Sequence, residues 1–217
     1  MKVYFDIEQR TNDWYLLKHG KIGGTLSDGL WVKTDTLFYD LLAQKTEPYD
    51  LDEVEEGYMS DDMFRGQLLE PQAREELSKY TGIDFLEAGW IQSDIEILGI
   101  SPDGISADLT AQCEIKCPSA KKHLRTCIED IIPLDNVKQC VHAFAVNPRL
   151  ENFYFMSYRP ESPKPIFVKH LTLQSMVNVG TKAKPILKSV DDCAKFIRKE
   201  ALDLEQQLKN TINILSF

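Results

Sequence analysis

Apolar side chains recur along the chain at two spacings, one typical of amphipathic helices and the other typical of strands. Residues 34–45 carry an apolar stripe at helical spacing, so this segment is predicted to be a helix. A second helix is expected over residues 67–80, because Pro71 fits only the first turn of a helix and Gly82 suits the position after its last turn. This assignment places Glu70 near the N-terminus of that helix. The stripe of the first helix consists of Leu37, Phe38, Leu41 and Leu42.

The rest of the chain predicts strands placed between helices. Strands are expected within residues 85–92, 94–100, 152–158 and 166–173. Further helices are expected over residues 121–129, 136–146 and 189–215. This order predicts an α/β (α+β) fold, a central mixed β-sheet flanked by helices. We expect one domain over residues 1–217, with its core at about 13–158 and a C-terminal strand and closing helix at about 166–217. The inner face of the 136–146 helix is predicted to hold Val137, Cys140, Val141 and Phe144.

The composition is that of a globular protein, since 43% of the 217 residues are apolar and 27% are charged. No apolar run approaches the ~20 residues that span a bilayer, and the first residues lack the apolar core of a secretory signal. We therefore expect a soluble, cytoplasmic protein without a membrane partner. The five cysteines include no C-x-x-C pair, so free and mostly buried thiols are expected rather than a zinc or iron–sulfur site.

Charge is distributed unevenly along the chain. The net charge of −9 argues against a protein that coats nucleic acid with its whole surface. Residues 50–62 contain seven acidic and no basic side chains, a pattern typical of a solvated loop. The run from Lys116 to Arg125 contains no acidic residue and includes Lys121 and Lys122. Two interpretations of this basic run remain open: a segment that contacts DNA, or a solvated surface.

The strongest candidate for chemistry is a spaced acidic motif, Ser101-Pro102-Asp103-Gly104 followed by Glu114-Ile115-Lys116. Residues 97–100 and 113–117 are predicted to be strands that pair antiparallel, which would bring Asp103 beside Glu114. Glu114 and Lys116 are two apart on a strand and therefore share a face. Two converging carboxylates suit a hard divalent cation, and a neighbouring lysine can orient an attacking water. The alternative interpretation is a hairpin that carries a surface salt bridge.

Five motifs follow one another along the chain. They are the W-x3-R-x-G-x-I-like element from Trp14 to Ile22, the G-x3-E-x2-A-R helix from Gly66 to Arg74, the S-P-D-G element from Ser101, the E-h-K-C-P element from Glu114, and Gln139 on the following helix. In this order the motifs resemble the lambda exonuclease family, also called the YqaJ-like viral recombinases, and the resemblance covers about residues 13–158.

This resemblance implies a nuclease core of the restriction-endonuclease-like, PD-(D/E)xK type. It also implies a divalent-metal exonuclease that digests one strand of duplex DNA from its 5′ end and leaves a 3′ overhang. Members of the family work with a single-strand annealing protein in phage recombination, and relatives form ring-shaped trimers around DNA. We therefore expect double-stranded DNA ends and an annealing protein as partners, in the cytoplasm of a bacterial host.

The resemblance also assigns roles to individual residues. Lys116 would position the attacking water, and Gln139 would hold that lysine or the phosphate to be cleaved. The cofactor would be Mg²⁺, with Mn²⁺ as a substitute. Two ions are expected per active site, because a pair of cations can bracket the attacking and leaving oxygens in phosphoryl transfer. The implied metal ligands are Asp103, Glu114, the backbone carbonyl of Ile115, and Glu70.

A pocket for the terminal 5′-phosphate is implied at Lys18, Thr25 and Ser101. The family has arginine where this chain has Lys18, and lysine keeps the charge but loses the two-pronged grip of guanidinium on phosphate. Alternatively, Lys18 is an ordinary solvent-exposed residue of a helix. The basic run after the acidic motif supplies Lys121, Lys122 and Arg125 as further candidate DNA contacts.

Other interpretations stay open from the sequence alone. The same metal site would serve an endonuclease or a single-strand nuclease of other polarity, and an inactive DNA-binding or interaction module is the non-enzymatic alternative. His123 and His142 are expected to be structural or interface residues. The tryptophans Trp14, Trp31 and Trp90 are expected to be core or loop anchors, although the tip at residues 29–31 is a candidate wedge for a duplex end.

Overall fold

The structure, a computed structural model, describes residues 1–32, 35–49 and 61–215, with the side chains of residues 61–63 excepted. Most of the acidic run at residues 50–62 therefore lies outside the described residues. The helices are α1 (Asn12–Lys18), α2 (Thr36–Thr46), α3 (Asp61–Thr81), α4 (Ala120–Glu129), α5 (Leu134–Val146) and α6 (Val190–Leu215), with a 3-10 helix at Thr25–Leu30. The strands are β1 (Lys2–Tyr4), β2 (Phe85–Leu86), β3 (Trp90–Gln92), β4 (Gly99–Ile100), β5 (Gly104–Ser106), β6 (Ala111–Lys116), β7 (Asn152–Tyr158), β8 (Ile166–Leu171), β9 (Met176–Asn178) and β10 (Leu187–Ser189).

The central sheet has five strands in the order β2-β5-β6-β7-β8. The β6–β7 pair is parallel and the other three pairs are antiparallel. A parallel pair needs a long crossover, which α4 and α5 supply between these two strands. The predicted mixed sheet flanked by helices is therefore confirmed.

The two faces of this sheet are buried under different helices, because successive side chains of a strand point to opposite sides. Phe153 and Phe155 of β7 belong to the large cluster that contains the inner faces of α5 and α6. Met156 joins a second cluster with Ala73 and Leu77 of α3. The sheet is thus the middle layer between α3 on one side and α5 with α6 on the other.

The acidic hairpin is built differently from the prediction. The partner of β6 is β5, with Gly104 opposite Cys113, whereas residues 97–100 do not pair with β6. Instead, β4 pairs with β3 in a separate three-stranded sheet of order β1-β3-β4. Pro102 lies between β4 and β5 and has no backbone N–H to donate to a neighbouring strand, which favours a break between these two strands. Asp103 still lies beside β6, because it immediately precedes β5.

Helix α3 also differs from the prediction, since it begins at Asp61 and contains Pro71 in its interior. Pro71 removes one helical hydrogen bond, and burial of Ala73 and Leu77 against the sheet stabilises the longer helix despite this loss. Gly82 has φ of 73°, which confirms it as the residue that ends the helix. Glu70 consequently lies mid-helix, away from the partial positive charge of a helix N-terminus.

The helices α2, α4, α5 and α6 and the strands β7 and β8 fall within about two residues of the predicted bounds. The strand expected within residues 94–100 is confined to Gly99–Ile100, and β1, β9 and β10 have no counterpart in the prediction. The expected inner face of α5 is buried, and so are Leu37 and Leu41 of α2. The five cysteines are free, and Cys127 alone among them is partly exposed, so the expectation of free and mostly buried thiols is confirmed. No helix in the described part of the chain is long and apolar enough to span a membrane.

His123 and His142 are buried structural groups, in agreement with the expectation from the sequence. His142 of α5 donates from Nε2 to the carbonyl oxygen of Gly99 at 2.8 Å, and burial lowers its pKa to about 4. The ring nitrogens of His123 in α4 lie 2.8 Å from the hydroxyl oxygen of Ser157 and 2.7 Å from the carbonyl oxygen of Lys164. These bonds connect α5 to β4 and α4 to β7, respectively.

Gly99 packs closely against the buried Trp90 ring. A Cβ atom at this position would lie 2.2 Å from Cζ2 of Trp90. The Gly99→Ala variant should lower the free energy of unfolding by about 3 kcal/mol, as overpacking of a rigid core does. Denaturant unfolding followed by tryptophan fluorescence measures this change.

The matched control is Gly66→Ala in α3, where an added Cβ meets no atom within 4 Å. Alanine is a better helix former than glycine, so this variant should be stabilised by about 0.5–1 kcal/mol. Equal stabilities of Gly99→Ala and the parent protein would contradict the packing of Trp90 against Gly99.

Candidate active site

The predicted carboxylate–lysine group is assembled at the C-terminal end of β6. The Oδ2 atom of Asp103 accepts a hydrogen bond from the backbone N–H of Ile115 at 2.6 Å. This bond places Asp103 beside β6 at the level of Glu114 and Lys116, which share the opposite strand face from Ile115. Glu114 is buried, and its Oε1 atom forms an ion pair with Nζ of Lys116. The structure therefore brings the three residues together as predicted.

The group carries more negative charge than its single lysine balances. Burial and, after it, the negative charge of Glu114 together raise the pKa of Asp103 to about 7. The same Glu114 charge raises the pKa of Lys116, which stays protonated at neutral pH. Two neighbouring carboxylates in a sheltered site repel each other, so a bound cation would stabilise their ionised forms.

Glu70 approaches the same site from α3 and is held there by two arginines. Its Oε1 atom pairs with Arg74 at 3.1 Å, and its Oε2 atom pairs with Arg10 at 3.5 Å. The pKa of Glu70 is raised by burial and, to a smaller extent, by the negative charge of Asp103. Arg74 also donates from Nε to the carbonyl oxygen of Asp103 at 2.6 Å. Arg74 therefore fixes Glu70 relative to Asp103.

The sequence motifs do not assign a role to either arginine. The i,i+4 spacing of Glu70 and Arg74 on one helix was a usable signal for their ion pair. Arg74 also forms an ion pair with Glu87 in the segment after α3. Arg10 had no comparable signal, because its contact with Glu70 spans 60 positions of sequence.

The donor set fits a hard divalent cation in its chemistry. Within the residues that the structure describes, no three histidine, cysteine or acidic side chains form a ready-made metal cluster. Asp103 and Glu114 nevertheless supply carboxylate oxygens, the ligand type that Mg²⁺ prefers. Glu114 lies close enough for its charge to raise the pKa of Asp103, after the larger effect of burial, so a bound cation would relieve this repulsion. Glu70 lies near enough for its charge to interact with Asp103, while its own oxygens are engaged by arginines.

One cleft, with a volume of about 610 Å³, joins this group to the predicted phosphate pocket. It passes from the α1 region to the end of β6. The predicted site residues that line it are Lys18, Thr25, Ser101, Asp103, Glu114, Lys116 and Gln139. Sequence separations as large as that from Lys18 to Gln139 are therefore bridged by a single concave surface.

Trp14 organises the phosphate-pocket side of this cleft. The Nζ atom of Lys18 lies 3.5 Å from the centroid of the Trp14 ring, so this lysine packs on an aromatic face instead of projecting into solvent. Burial lowers the pKa of Lys18 to about 8. The indole N–H of Trp14 donates to the hydroxyl oxygen of Ser101 at 2.8 Å. Because this oxygen accepts from Trp14, the hydroxyl hydrogen of Ser101 is left to donate to an anion.

Gln139 reaches the cleft from α5 beside a glycine pair. A Cβ atom at Gly24 would lie 2.9 Å from Cγ of Gln139, so the absence of a side chain at Gly24 makes room for the glutamine. Gln139 is partly buried and shares the cleft with Lys116. This arrangement agrees with the predicted position of Gln139 on the helix after the acidic hairpin.

A second cleft, with a volume of about 900 Å³, opens from the other side of the acidic group. Asp103, Lys116 and Glu70 line it together with Lys122 and Arg125 of α4. Arg125 also pairs with Glu129 at 2.9 Å. Lys121 is exposed and lines neither cleft. Two of the three predicted basic contacts therefore border the site.

The predicted duplex wedge at residues 29–31 is wrong. Leu30 is buried, and the ring of Trp31 packs on Phe196 of α6 with centroids 4.6 Å apart. An apolar tip of this size is more stable in the core than in solvent, which explains why it folds inward. Trp90 is fully buried, so the expectation that the tryptophans are anchors is confirmed.

The chain is similar to proteins of a known family and to solved structures. Residues 13–149 match the YqaJ-like viral recombinase domain, and the chain belongs to this family. The fold is that of an alkaline exonuclease (LHK-Exo) from Laribacter hongkongensis, with a TM-score of 0.71 and 23% identity over 95% of this chain and 96% of that one. The structure of LHK-Exo in complex with dAMP matches with a TM-score of 0.68 and 22% identity, over 95% and 98% of the two chains.

No curated protein sequence matches the chain significantly. At these identities the structural likeness establishes the fold. The family and the nuclease-type core predicted from the motifs are confirmed.

Proposed function

We propose that the protein is a metal-dependent exonuclease that digests one strand of linear double-stranded DNA from the 5′ end and leaves a 3′ overhang. The observation that carries this proposal is the single cleft that joins the Asp103–Glu114–Lys116 group to Lys18, Thr25 and Ser101. Family membership supports a role in phage-type recombination by single-strand annealing. The alkaline exonuclease activity named for the structural relative supports hydrolysis of DNA.

The acidic residues would act as ligands. Asp103, Glu114 and the carbonyl oxygen of Ile115 would hold one Mg²⁺ or Mn²⁺, and Glu70 would contribute to a second ion. Bound ions of this kind acidify water and neutralise the charge that develops on a transferring phosphoryl group. Glu70 would have to leave at least one of its arginine partners to contribute an oxygen.

The lysine and the glutamine would act on the reacting atoms directly. Lys116 is held against Glu114 with its charge intact, so its ammonium group can orient an attacking water and stabilise the transition-state charge. Gln139 lines the same cleft and can donate its amide N–H either to the phosphate or to a water beside Lys116. The lysine would thus be ready before the substrate arrives.

The phosphate pocket would set the direction of digestion. A terminal 5′-phosphate bound by Lys18, Thr25 and Ser101 would place the next phosphodiester bond toward Asp103 and Lys116 in the same cleft. After each cut, the new 5′-phosphate could move into the pocket. The strand would therefore be consumed from its 5′ end.

The proposal is tested on a linear duplex labelled separately at each 5′ and each 3′ end, with a closed circular duplex beside it. In Mg²⁺ we expect the 5′ label to be released as mononucleotide, the 3′ label to stay on long products, and the circle to remain intact. Asp103→Ala and Glu114→Ala should abolish cleavage, because the cation ligands are lost. Lys116→Ala should keep cation binding and lower the rate on the order of 10²-fold.

Excess EDTA serves as the metal-removal control, and Ca²⁺ is expected to bind without supporting turnover. Cleavage of the circle would point to an endonuclease, and early loss of the 3′ label would reverse the proposed polarity. Full activity of Lys116→Ala, or of the wild-type protein in EDTA, would rule out the proposed chemistry.

The pH dependence of the phosphate preference follows from Lys18. Since the pKa of Lys18 is lowered to about 8, its positive charge is present below that pH and lost above it. The ratio of initial rates on 5′-phosphorylated and 5′-hydroxyl duplexes should therefore fall as pH rises through 8. Lys18→Arg should keep the ratio high across this range, because guanidinium stays charged and grips phosphate with two bonds.

Two further variants serve as controls for this pocket. Lys18→Ala should show no preference at any pH while cutting hydroxyl ends at nearly the parent rate. Trp14→Phe keeps an aromatic face under Lys18 but removes the N–H that holds Ser101, so a smaller preference is expected. A preference that survives in Lys18→Ala would locate the pocket elsewhere.

We also propose that the protein acts as a trimeric ring around DNA and delivers its product to a single-strand annealing protein in the bacterial cytoplasm. The basic side chains of the second cleft would then face the DNA, which reconciles DNA binding with a net charge of −9. Sedimentation equilibrium should give a mass near three times 24.9 kDa. A monodisperse monomer that degrades kilobase DNA processively would exclude the ring.

A further inference from the structure

The two clefts meet at a short boundary, and the residues of the described chain that line both are Arg10, Asp103 and Lys116. A DNA strand that runs from the phosphate pocket into the second cleft has to cross this boundary. In the proposed function, the bond next to Asp103 and Lys116 would be the one to be cleaved. Arg10 would then lie beside the reacting phosphate, although it precedes the segment 13–149 that matches the family domain.

The turn that carries Arg10 is fixed to the loop that carries Asp103. Gln9 donates from its side-chain amide to the carbonyl oxygens of Ala88 and Pro102, each at 3.0 Å. On the other side, the hydroxyl of Thr11 donates to the carbonyl oxygen of Glu8 at 2.7 Å. Arg10 itself has φ of 70°, a left-handed conformation that is uncommon for a long side chain. The surrounding bonds thus hold a strained backbone that directs Arg10 to the cleft boundary.

The ion pair that Arg10 forms is weak compared with that of Arg74. Arg10 makes one contact of 3.5 Å to Glu70, and 48% of its side chain is exposed. Arg74 is only 11% exposed and bonds to Glu70, Glu87 and the carbonyl oxygen of Asp103. The guanidinium of Arg74 is engaged by several partners within the protein, whereas the guanidinium of Arg10 has N–H donors left for another anion.

We infer that Arg10 is a substrate-binding residue that grips a phosphate of the DNA strand at the cleft boundary. On binding, its guanidinium exchanges the carboxylate of Glu70 for non-bridging phosphate oxygens, which it can hold with two parallel bonds. The exchange frees one oxygen of Glu70 at the moment when the strand arrives. This inference rests on the proposed nuclease function and adds a residue that links DNA entry to the state of Glu70.

The test measures binding of a short 5′-phosphorylated duplex by fluorescence anisotropy in Ca²⁺, at several salt concentrations, and single-turnover cleavage in Mg²⁺. In Arg10→Gln the slope of log K against log salt should become shallower by about 0.9, as loss of one phosphate contact requires. Binding should weaken about tenfold at moderate salt, and cleavage should slow by a similar factor or more. Arg10→Lys should restore the salt slope but only part of the rate, because lysine is a point charge.

Arg10→Gly guards against misfolding, because glycine adopts a φ of 70° without strain. The free energy of unfolding of this variant should be no lower than that of the parent protein. Its salt slope should still be shallower, because the phosphate contact is lost. Arg149→Ala is the matched charge control. Arg149 is exposed beyond α5, at the end of β6 opposite Lys116, and its loss should leave slope and rate unchanged.

A double-mutant comparison separates phosphate binding from a merely structural role. If Arg10 acts only by holding Glu70, its substitution has no effect on DNA binding in a Glu70→Gln background. If it binds phosphate, the shallower slope persists in that background. If the wild-type protein binds and cleaves DNA but Arg10→Gln has the same salt slope as the wild type, the inference about Arg10 is overturned and the proposed function is not. A wild-type protein that neither binds nor cleaves duplex DNA overturns the proposed function with it.

Discussion

The arrangement of the site depends on one loop whose three consecutive residues are each held by a side chain from a different segment. Trp14 of α1 donates to Ser101, Gln9 of the N-terminal turn donates to the carbonyl oxygen of Pro102, and Arg74 of α3 donates to that of Asp103. These bonds matter because the loop carries a carboxylate that other negative charges repel. Without such external donors, Asp103 would be expected to move away from Glu114 toward solvent.

The same three donors explain why the two clefts meet at Asp103. Each donor belongs to a segment that also supplies a cleft wall: α1 carries Lys18, the N-terminal turn carries Arg10, and α3 carries Glu70. A hydrogen bond to the central loop therefore fixes the position of a neighbouring side chain at the cleft. The central sheet provides the rigid support, since β6 is paired on both sides by β5 and β7. Functional groups on rigid elements keep their geometry more accurately than groups on free loops.

Local sequence patterns predict some elements of this fold and fail for others. Periodicity located α2, α4, α5 and α6 well, because an amphipathic helix must bury its apolar stripe whatever it packs against. It misassigned the partner of β6, because the apolar residues 97–100 suit any buried strand and pairing is decided by Pro102 and by the neighbouring β3. The expectation that Pro71 lies in the first turn placed the start of α3 too late, because tertiary packing outweighs the local cost of a proline in a helix interior.

By itself, the sequence determined the chemistry of the site: two carboxylates, a lysine two residues after the second, and the family motifs around them. Residue types and spacings along one strand are local properties, and a strand of period two puts Glu114 and Lys116 on one face in any fold. Only the tertiary structure decided the pairing of Glu70 with Arg10, the hydrogen bond from Trp14 to Ser101 and the position of Arg10 between two clefts. These contacts join segments far apart in the chain, and they form only when the layers of helices pack on the sheet and remove water from between them.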